Sequence, residues 1–195
     1  SHDLRTVLTR FKLELALLGD TPEVRALQAD VKEMQHMLED YLAFAKGDGG
    51  EEATPTNLGE LLEEIHEDAQ VFGSSIELRL PKRLQRLVLP LKRQAFKRAV
   101  MNLVSNAARF GEHVVITAVR DGDRVRIEVN DDGPGIPEHQ AKQAIKRGRR
   151  LDETKQGSGL GLNIVTDLVE EYGGRLTLGK SELGGLRAEV ELRIA

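Results

Sequence analysis

The chain has no cysteine and no tryptophan, and only five phenylalanines and two tyrosines. Without thiols there can be no disulfide, thiolate metal site or cysteine nucleophile. Aromatics at 4% leave little material for stacking nucleic-acid bases. No apolar run approaches the roughly 20 residues needed to cross a bilayer, and no signal peptide is visible. A net charge of −4 weighs against a nucleic-acid-binding chain as a whole, although it leaves local basic patches open. What is present, 195 residues with 39% apolar residues and 19 glycines, is the composition of one or two ordinary globular domains.

Residues 1–18 read as a helix with Leu4, Leu8, Phe11, Leu15 and Leu18 at alternating spacings of four and three. Gly19-Asp20-Thr21-Pro22 stops it and starts another, with Gly19 past the end, Thr21 as N-cap and Pro22 in the first turn. Val24, Leu27, Val31, Met34, Leu38 and Tyr41 continue the seam. Two narrow stripes cannot enclose a core, so the pattern predicts an antiparallel hairpin that pairs with a second copy into a four-helix bundle. Packing of the hairpin on its own C-terminal domain is the plainer alternative.

A Gly- and acid-rich stretch from Lys46 to Thr56 marks the domain boundary, giving a hairpin over 1–46, a linker over 47–53 and a second domain over 54–195. In the second domain, Asn57 caps a helix bearing Leu58, Leu61, Leu62 and Ile65. Ser75–Leu80 and Leu87–Leu89 read as strands and Leu91–Phe110 as a helix. His113–Arg120 and Arg124–Asn130 flank Asp121-Gly122, a hairpin signal. A short helical piece over Pro137–Ile145, a loop over Lys146–Ser158, a helix over Leu160–Tyr172, and strands over Arg175–Leu178 and Leu186–Ile194 complete the domain. The fold class is α+β: a helical hairpin, then an α/β sandwich with a largely antiparallel sheet.

Three stretches carry chemistry. Asn102 and Asn106 lie four apart, so a helix sets both amides on one face. Asn is a mediocre former of helix interiors, and a carbonyl oxygen there suits a hard cation that also takes phosphate oxygens; two solvated side chains are the plain alternative. Asp131-Asp132-Gly133-Pro134-Gly135-Ile136 follows a strand, and its glycines build a backbone wall that a flat ring can approach. Its carboxylate accepts hydrogen bonds and so suits an exocyclic amine such as that of adenine, although such residues also end strands routinely. Gly157-Ser158-Gly159-Leu160-Gly161-Leu162 opens a helix, whose free amides suit phosphate, yet it fits neither the dinucleotide fingerprint nor a P-loop. Lys146, Arg147, Arg149, Arg150 and Lys155 lie between the last two stretches, as a solvated basic loop or a lid over a polyphosphate.

Asn102-x-x-x-Asn106, Asp131-x-Gly133-x-Gly135 and Gly157-x-Gly159-x-Gly161, in this order, resemble the N, G1 and G2 boxes of the Bergerat-type ATP-binding fold of histidine kinases, shared with gyrase, Hsp90 chaperones and MutL. The resemblance implies ATP with Mg²⁺, the metal coordinated by Asn106 with support from Asn102. It implies adenine recognition by Asp131 in a corner of Gly133, Gly135 and Ile136, and phosphate contacts from Arg109, beside Phe110, from Arg147, Arg149 and Arg150, and from Gly157, Ser158, Gly159, Leu160 and Gly161. Ser1-His2-Asp3-Leu4-Arg5-Thr6 resembles the family's H box, which makes the hairpin the dimerisation and phosphotransfer element of a sensor kinase. His2 is then the phosphoacceptor, Asp3 its orienting or proton-accepting carboxylate, and Thr6 the residue that serves dephosphorylation of the partner regulator. The partners implied are a second copy, through residues 1–46, and a response regulator receiver domain. No nucleic acid is expected. A membrane enters only through sensor segments upstream of Ser1, which makes this the cytoplasmic core of an inner-membrane sensor. His36, His66, His113 and His139 lack such surroundings and read as structural or surface residues.

Two readings from other classes remain: a non-catalytic phosphotransfer scaffold whose ATP domain has lapsed, and an ATP-driven clamp of the gyrase or chaperone type, which would not need His2-Asp3 on a heptad helix. The chain also departs from the family. Ala144-Ile145-Lys146-Arg147-Gly148-Arg149-Arg150 stands where a Phe-rich stretch is usual, as in the shorter, arginine-bearing lids of some proteobacterial sensor kinases. Val7 stands where the motif has proline, and it restores an amide donor that proline would remove. A straighter first helix and a shifted ratio of kinase to phosphatase activity are expected. Assays of both activities should separate the chain from its Val7→Pro variant, and indistinguishable ratios would contradict the expectation.

Overall fold

The computed structural model describes residues 2–19, 21–25, 27, 28, 31, 34, 51–137, 139–141, 145 and 161–194, with the side chains of residues 2–5 excepted. The chain divides into two compact units. The first contains helix α1 (His2–Leu17). Gly19 takes φ 87°, as expected for the residue past a helix end. The Val24 amide donates to Thr21 Oγ1 at 3.3 Å, the N-cap bond predicted for that threonine. The described residues from Pro22 to Met34 are helical. Leu8, Leu15, Val24 and Val31 form a small buried cluster, whereas Phe11, Leu18, Leu27 and Met34, from the same seam, are exposed. His36 and Tyr41 lie outside the described residues.

The second unit places three helices on one face of a sheet. Strand β1 (Thr54–Asn57) leads into α2 (Leu58–Ala69), capped by the Asn57 side chain as predicted. Then come β2 (Ser75–Arg79), β3 (Val88–Leu91), α3 (Arg93–Phe110), β4 (His113–Asp121) and β5 (Arg124–Asp131). Helix α4 (Gly161–Glu171) and strands β6 (Arg175–Lys180) and β7 (Leu186–Arg193) complete it. The main sheet runs β2-β4-β5-β7-β6, and only the β2–β4 pair is parallel. Antiparallel character therefore dominates, as the hairpin signals implied. The pairing of β1 with β3 was not anticipated, because Thr54–Thr56 reads as the end of a linker.

Strand alternation builds the core. Leu178, Ala188, Val129, Ile116 and Leu78 stand side by side across the sheet, and Leu176, Val190, Ile127 and Ala118 form the next row. These rows join Leu61, Leu62 and Ile65 of α2, Phe96, Val100, Leu103 and Val104 of α3, and Val165, Leu168 and Val169 of α4 in one cluster. The opposite face is polar, with Arg79, Thr117, Glu128, Glu189 and Thr177 in one row.

Helix α3 is held from every side. Glu64 of α2 pairs with Arg93, and with Lys97 at 2.5 Å, while Lys97 also reaches Asp68 at 2.6 Å. Tyr172, just past α4, accepts the Lys92 amide at 2.7 Å and packs edge-on against Phe96. Glu51, in the predicted linker, caps the N-terminus of α3: its two carboxylate oxygens accept the Gln94 and Ala95 amides at 2.7 and 3.0 Å. A cap of this kind contributes about 0.5–2 kcal/mol. At the other end, Ser74 Oγ donates to the carbonyls of Ala108 and Gly111 at 3.0 and 3.1 Å. Among the described residues no helix is long and apolar enough to cross a membrane.

Candidate functional site

The helix-facing residues of β5 are Val125, Ile127, Val129 and Asp131, all buried. Asp131 thus continues an apolar row, level with Val114 and Ile76. A carboxylate is an expensive occupant of such a place. Its Oδ1 accepts the Gly133 amide at 2.9 Å and the Leu186 amide at 3.0 Å. Among the described residues no donor reaches Oδ2. Burial pushes the Asp131 carboxyl above its usual range; the Leu186 and Gly133 amides oppose that shift and the charge of Asp132 adds to it.

Its neighbour has the opposite environment. Asp132 is exposed, and its Oδ1 accepts the amides of Glu112 and His113 at 2.8 and 3.0 Å. Those bonds, that from His113 foremost, hold its carboxyl below the ordinary range and pin the start of β4 to the corner. Two adjacent aspartates therefore divide the work: Asp132 ties backbone together, and Asp131 keeps an acceptor for something else.

The corner is made of backbone. A Cβ on Gly133 would lie 2.6 Å from the Phe110 carbonyl oxygen, so the turn rests directly on the C-terminal end of α3. Gly135 takes φ 65°, and a Cβ there would meet the Gly185 carbonyl oxygen at 3.1 Å. Ile136 is partly buried against the core. Gly185, in the turn before β7, is a residue that sequence reasoning missed. The doubled glycine at 184 and 185 was the available signal, since one glycine suffices for a tight turn.

Asn106 sits one turn before Phe110 on α3 and Asn102 one turn earlier, about 6 Å apart along the axis. Both are partly buried, beside the core stripe of Ala99, Leu103 and Ala107, and their side-chain amides form no hydrogen bond among the described residues. Gly161, the first residue of α4, stands against Asn102: a Cβ there would lie 3.7 Å from Asn102 Cβ and 3.8 Å from Nδ2. The last residue of the third motif thus meets the first residue of the first. Arg109 follows Asn106 at the exposed end of α3, its guanidinium 5.6 Å from the Phe110 ring centroid. Among the described residues no three His, Asp or Glu side chains gather as a metal site. A divalent cation at α3 would be offered the neutral Asn106 oxygen and the oxygens of its own anionic ligand, a donor set that suits Mg²⁺.

Other predicted positions are not brought to this site by any described contact. His2 and Asp3 lie on α1, but their side chains are outside the described residues; Thr6 is on the same helix and exposed. Arg147, Arg149, Arg150, Gly157, Ser158, Gly159 and Leu160 lie outside the described residues, as do Lys146 and Lys155. Of the histidines read as structural, His66 places Nε2 3.0 Å from the Ile76 carbonyl, His113 lies 3.9 Å from Glu77, and His139 is exposed.

The chain is similar to known proteins. The family model described as histidine kinase-, DNA gyrase B-, and HSP90-like ATPase matches residues 92–195, from the start of α3 to the end of the chain. The sensor histidine kinase GtrS of Pseudomonas aeruginosa is 32% identical over 199 residues, covering 98% of this chain and 40% of that protein. The sensor histidine kinase CpxA of Escherichia coli K12 is 29% identical over 209 residues, covering 98% of this chain and 45% of CpxA. The chain thus spans less than half the length of these relatives. Among solved structures, full-length ShkA in complex with AMPPNP superposes with a TM-score of 0.68 at 25% identity, covering all of this chain and 46% of ShkA. The catalytic domain of histidine kinase ThkA gives 0.63 at 26% identity, covering 72% of this chain and 95% of that domain.

Since its charge opposes its burial, Asp131 costs the fold stability wherever it is ionised. Its raised folded-state pKa means that protonation relieves the cost, which is fully present above that pKa, shrinks as pH falls below it and is gone below the unfolded-state value. Asp131→Asn keeps an acceptor oxygen for the two amides and removes the charge. The variant should melt no lower than the parent at pH 7, with the gap closing in acid, yet should bind an adenine nucleotide about 10- to 150-fold more weakly, the loss of one hydrogen bond to a charged group. Thermal melts over a pH series and nucleotide titrations check both; a lower melting temperature with unchanged binding would contradict the assignment.

Proposed function

The chain belongs to the histidine kinase-, DNA gyrase B-, and HSP90-like ATPase family, as the ATP-binding core of a two-component sensor histidine kinase, and from that premise we propose that it transfers the γ-phosphoryl group of ATP to His2 and thence to an aspartate of a response regulator. The observation that carries this reading is the buried Asp131 carboxylate, fixed through Oδ1 and open at Oδ2, at the same corner as the end of the asparagine-bearing helix. A stability cost of that kind is explained by a ligand donor, and the exocyclic amine of adenine is the fitting one.

In this mechanism Asp131 Oδ2 orients the base, with Gly133, Gly135 and Ile136 forming the wall beside it. Asn106 is the residue to hold Mg²⁺, and Asn102 supports it. When bound, Mg²⁺ neutralises phosphate charge during transfer. Arg109 and the lid residues Arg147, Arg149 and Arg150 are assigned to the phosphates, as are the backbone amides of residues 157–161. His2, as a neutral imidazole, attacks the γ-phosphorus. The new N–P bond forms as the bond to the β,γ-bridging oxygen breaks, and ADP leaves with that electron pair. Asp3 orients the ring or takes its proton. Adjacent helical positions do not face each other, so Asp3 reaches around the helix.

Homodimerisation through residues 1–46 into a four-helix bundle is proposed on the exposure of Phe11, Leu18, Leu27 and Met34, while Leu8, Leu15, Val24 and Val31, the other seam residues with described side chains, are already covered. The Gly47–Gly50 linker would supply the hinge between domains. Thr6, one turn from His2 on an exposed helix face, is the candidate for holding water during regulator dephosphorylation. A cytoplasmic position below membrane-borne sensor segments completes the proposal.

Incubation with γ-labelled ATP and Mg²⁺ tests it. Acid-labile, base-stable label should appear on the chain and fall to background in both His2→Gln and Asn106→Ala. Label that persists in His2→Gln would overturn the phosphoacceptor assignment, and label that persists in Asn106→Ala would overturn the metal-binding role.

A further inference from the structure

The turn between β6 and β7 approaches the end of β5 more closely than any side chain would allow. A Cβ on Gly185 would lie 2.1 Å from Asp131 Oδ1, 2.5 Å from the Gly133 amide nitrogen and 2.6 Å from the Asp131 carbonyl oxygen. The backbone dihedral is not the reason for this glycine. Gly184 carries the left-handed φ of 110°, with open space around it, whereas Gly185 has no positive φ. Gly185 is thus required for proximity alone.

That proximity fixes a carboxylate. The Gly185 amide donates to the Asp131 carbonyl at 3.1 Å, closing the turn onto the strand end. This delivers the Leu186 amide to Oδ1 at 3.0 Å, where the Gly133 amide already sits at 2.9 Å. Two donors converging on one oxygen set the rotation of the carboxylate and leave the other oxygen as the acceptor. A side chain at 185 would lift the turn, remove the Leu186 bond and free the carboxylate to rotate.

We propose that Gly185 is a positioning residue for base recognition: by admitting the β6–β7 turn it locks Asp131 with Oδ2 presented to a 6-aminopurine, and so sets the preference for that base over a 6-oxopurine. A 6-amino group donates to Oδ2, whereas a 6-oxo group sets a second acceptor against a carboxylate that cannot turn away. The inference rests on the nucleotide site proposed above and adds its specificity.

Calorimetric titration of the parent chain, Gly185→Ala and Gly184→Ala with a nonhydrolysable ATP analogue and its inosine counterpart, each with Mg²⁺, tests it. The parent should prefer the adenosine nucleotide. In Gly185→Ala the adenosine nucleotide should weaken about tenfold or more, as for the loss of a hydrogen bond to a charged group, while the inosine nucleotide changes little, so that discrimination collapses. Gly184→Ala strains the same turn without reaching Asp131 and should keep discrimination whatever its melting temperature. Parallel weakening of both nucleotides in Gly185→Ala, or retained preference, would overturn the proposal. A parent chain that binds neither nucleotide would overturn the nucleotide site itself. Should Gly185→Ala not fold, the unaltered chain still decides: the Leu186 and Gly133 amide protons should shift together with pH in NMR spectra, sharing one midpoint. Separate midpoints, or no shift, would overturn the lock.

Discussion

One carboxylate oxygen, Asp131 Oδ1, binds the corner at the end of β5 to a turn far away in the sequence. It accepts Gly133 from its own corner and Leu186 from a turn more than fifty residues later. The corner in turn rests on the Phe110 carbonyl at the end of α3. The end of the central strand, the helix end and the hairpin turn are therefore fixed by contacts that only glycine backbone permits. The charge is held where an apolar residue would be more stable, and the structure surrounding it is rigid enough to sustain that cost.

Helix α3, which carries the two asparagines, is tied at both ends. Glu51 caps its start, Glu64 and Tyr172 anchor its first turns, and Ser74 holds its last carbonyls. With both ends tied, Asn102 and Asn106 keep a set distance from the Asp131 corner. A nucleotide spanning base to terminal phosphate would meet a ruler rather than a mobile segment, which is what in-line transfer needs from a protein that contributes little covalent chemistry of its own. Glu51, within the stretch that reads as linker, is thereby tied to the start of α3.

Much of this was legible in the sequence, because the relevant signals are local. Period-2 alternation in 113–130 and 186–194 and the Asp121-Gly122 turn gave the antiparallel sheet. The capping Asn57 and Thr21 marked helix starts through their own hydrogen bonds. The paired asparagines and the glycine corners were readable as motifs. What escaped depends on partners distant in the chain. Thr54–Asn57 carries Pro55 and little apolar character, and becomes a strand only because β3 lies beside it. The cap by Glu51 requires α3 to be in place, and the role of Gly185 appears only once the turn is seen against Asp131. The division between Asp131 and Asp132 likewise follows from strand parity: one side chain faces the helices, and the next faces out.

In the proposed function the second oxygen of Asp131 reads the base while the α3 asparagines serve the phosphate end. A crystal structure with a nonhydrolysable ATP analogue and Mg²⁺ is the most direct measurement. The exocyclic amine should lie about 3 Å from Asp131 Oδ2 and the cation on the Asn106 side-chain oxygen. An analogue bound with its base away from β5, or a corner filled by protein side chains and closed to nucleotide, would contradict it.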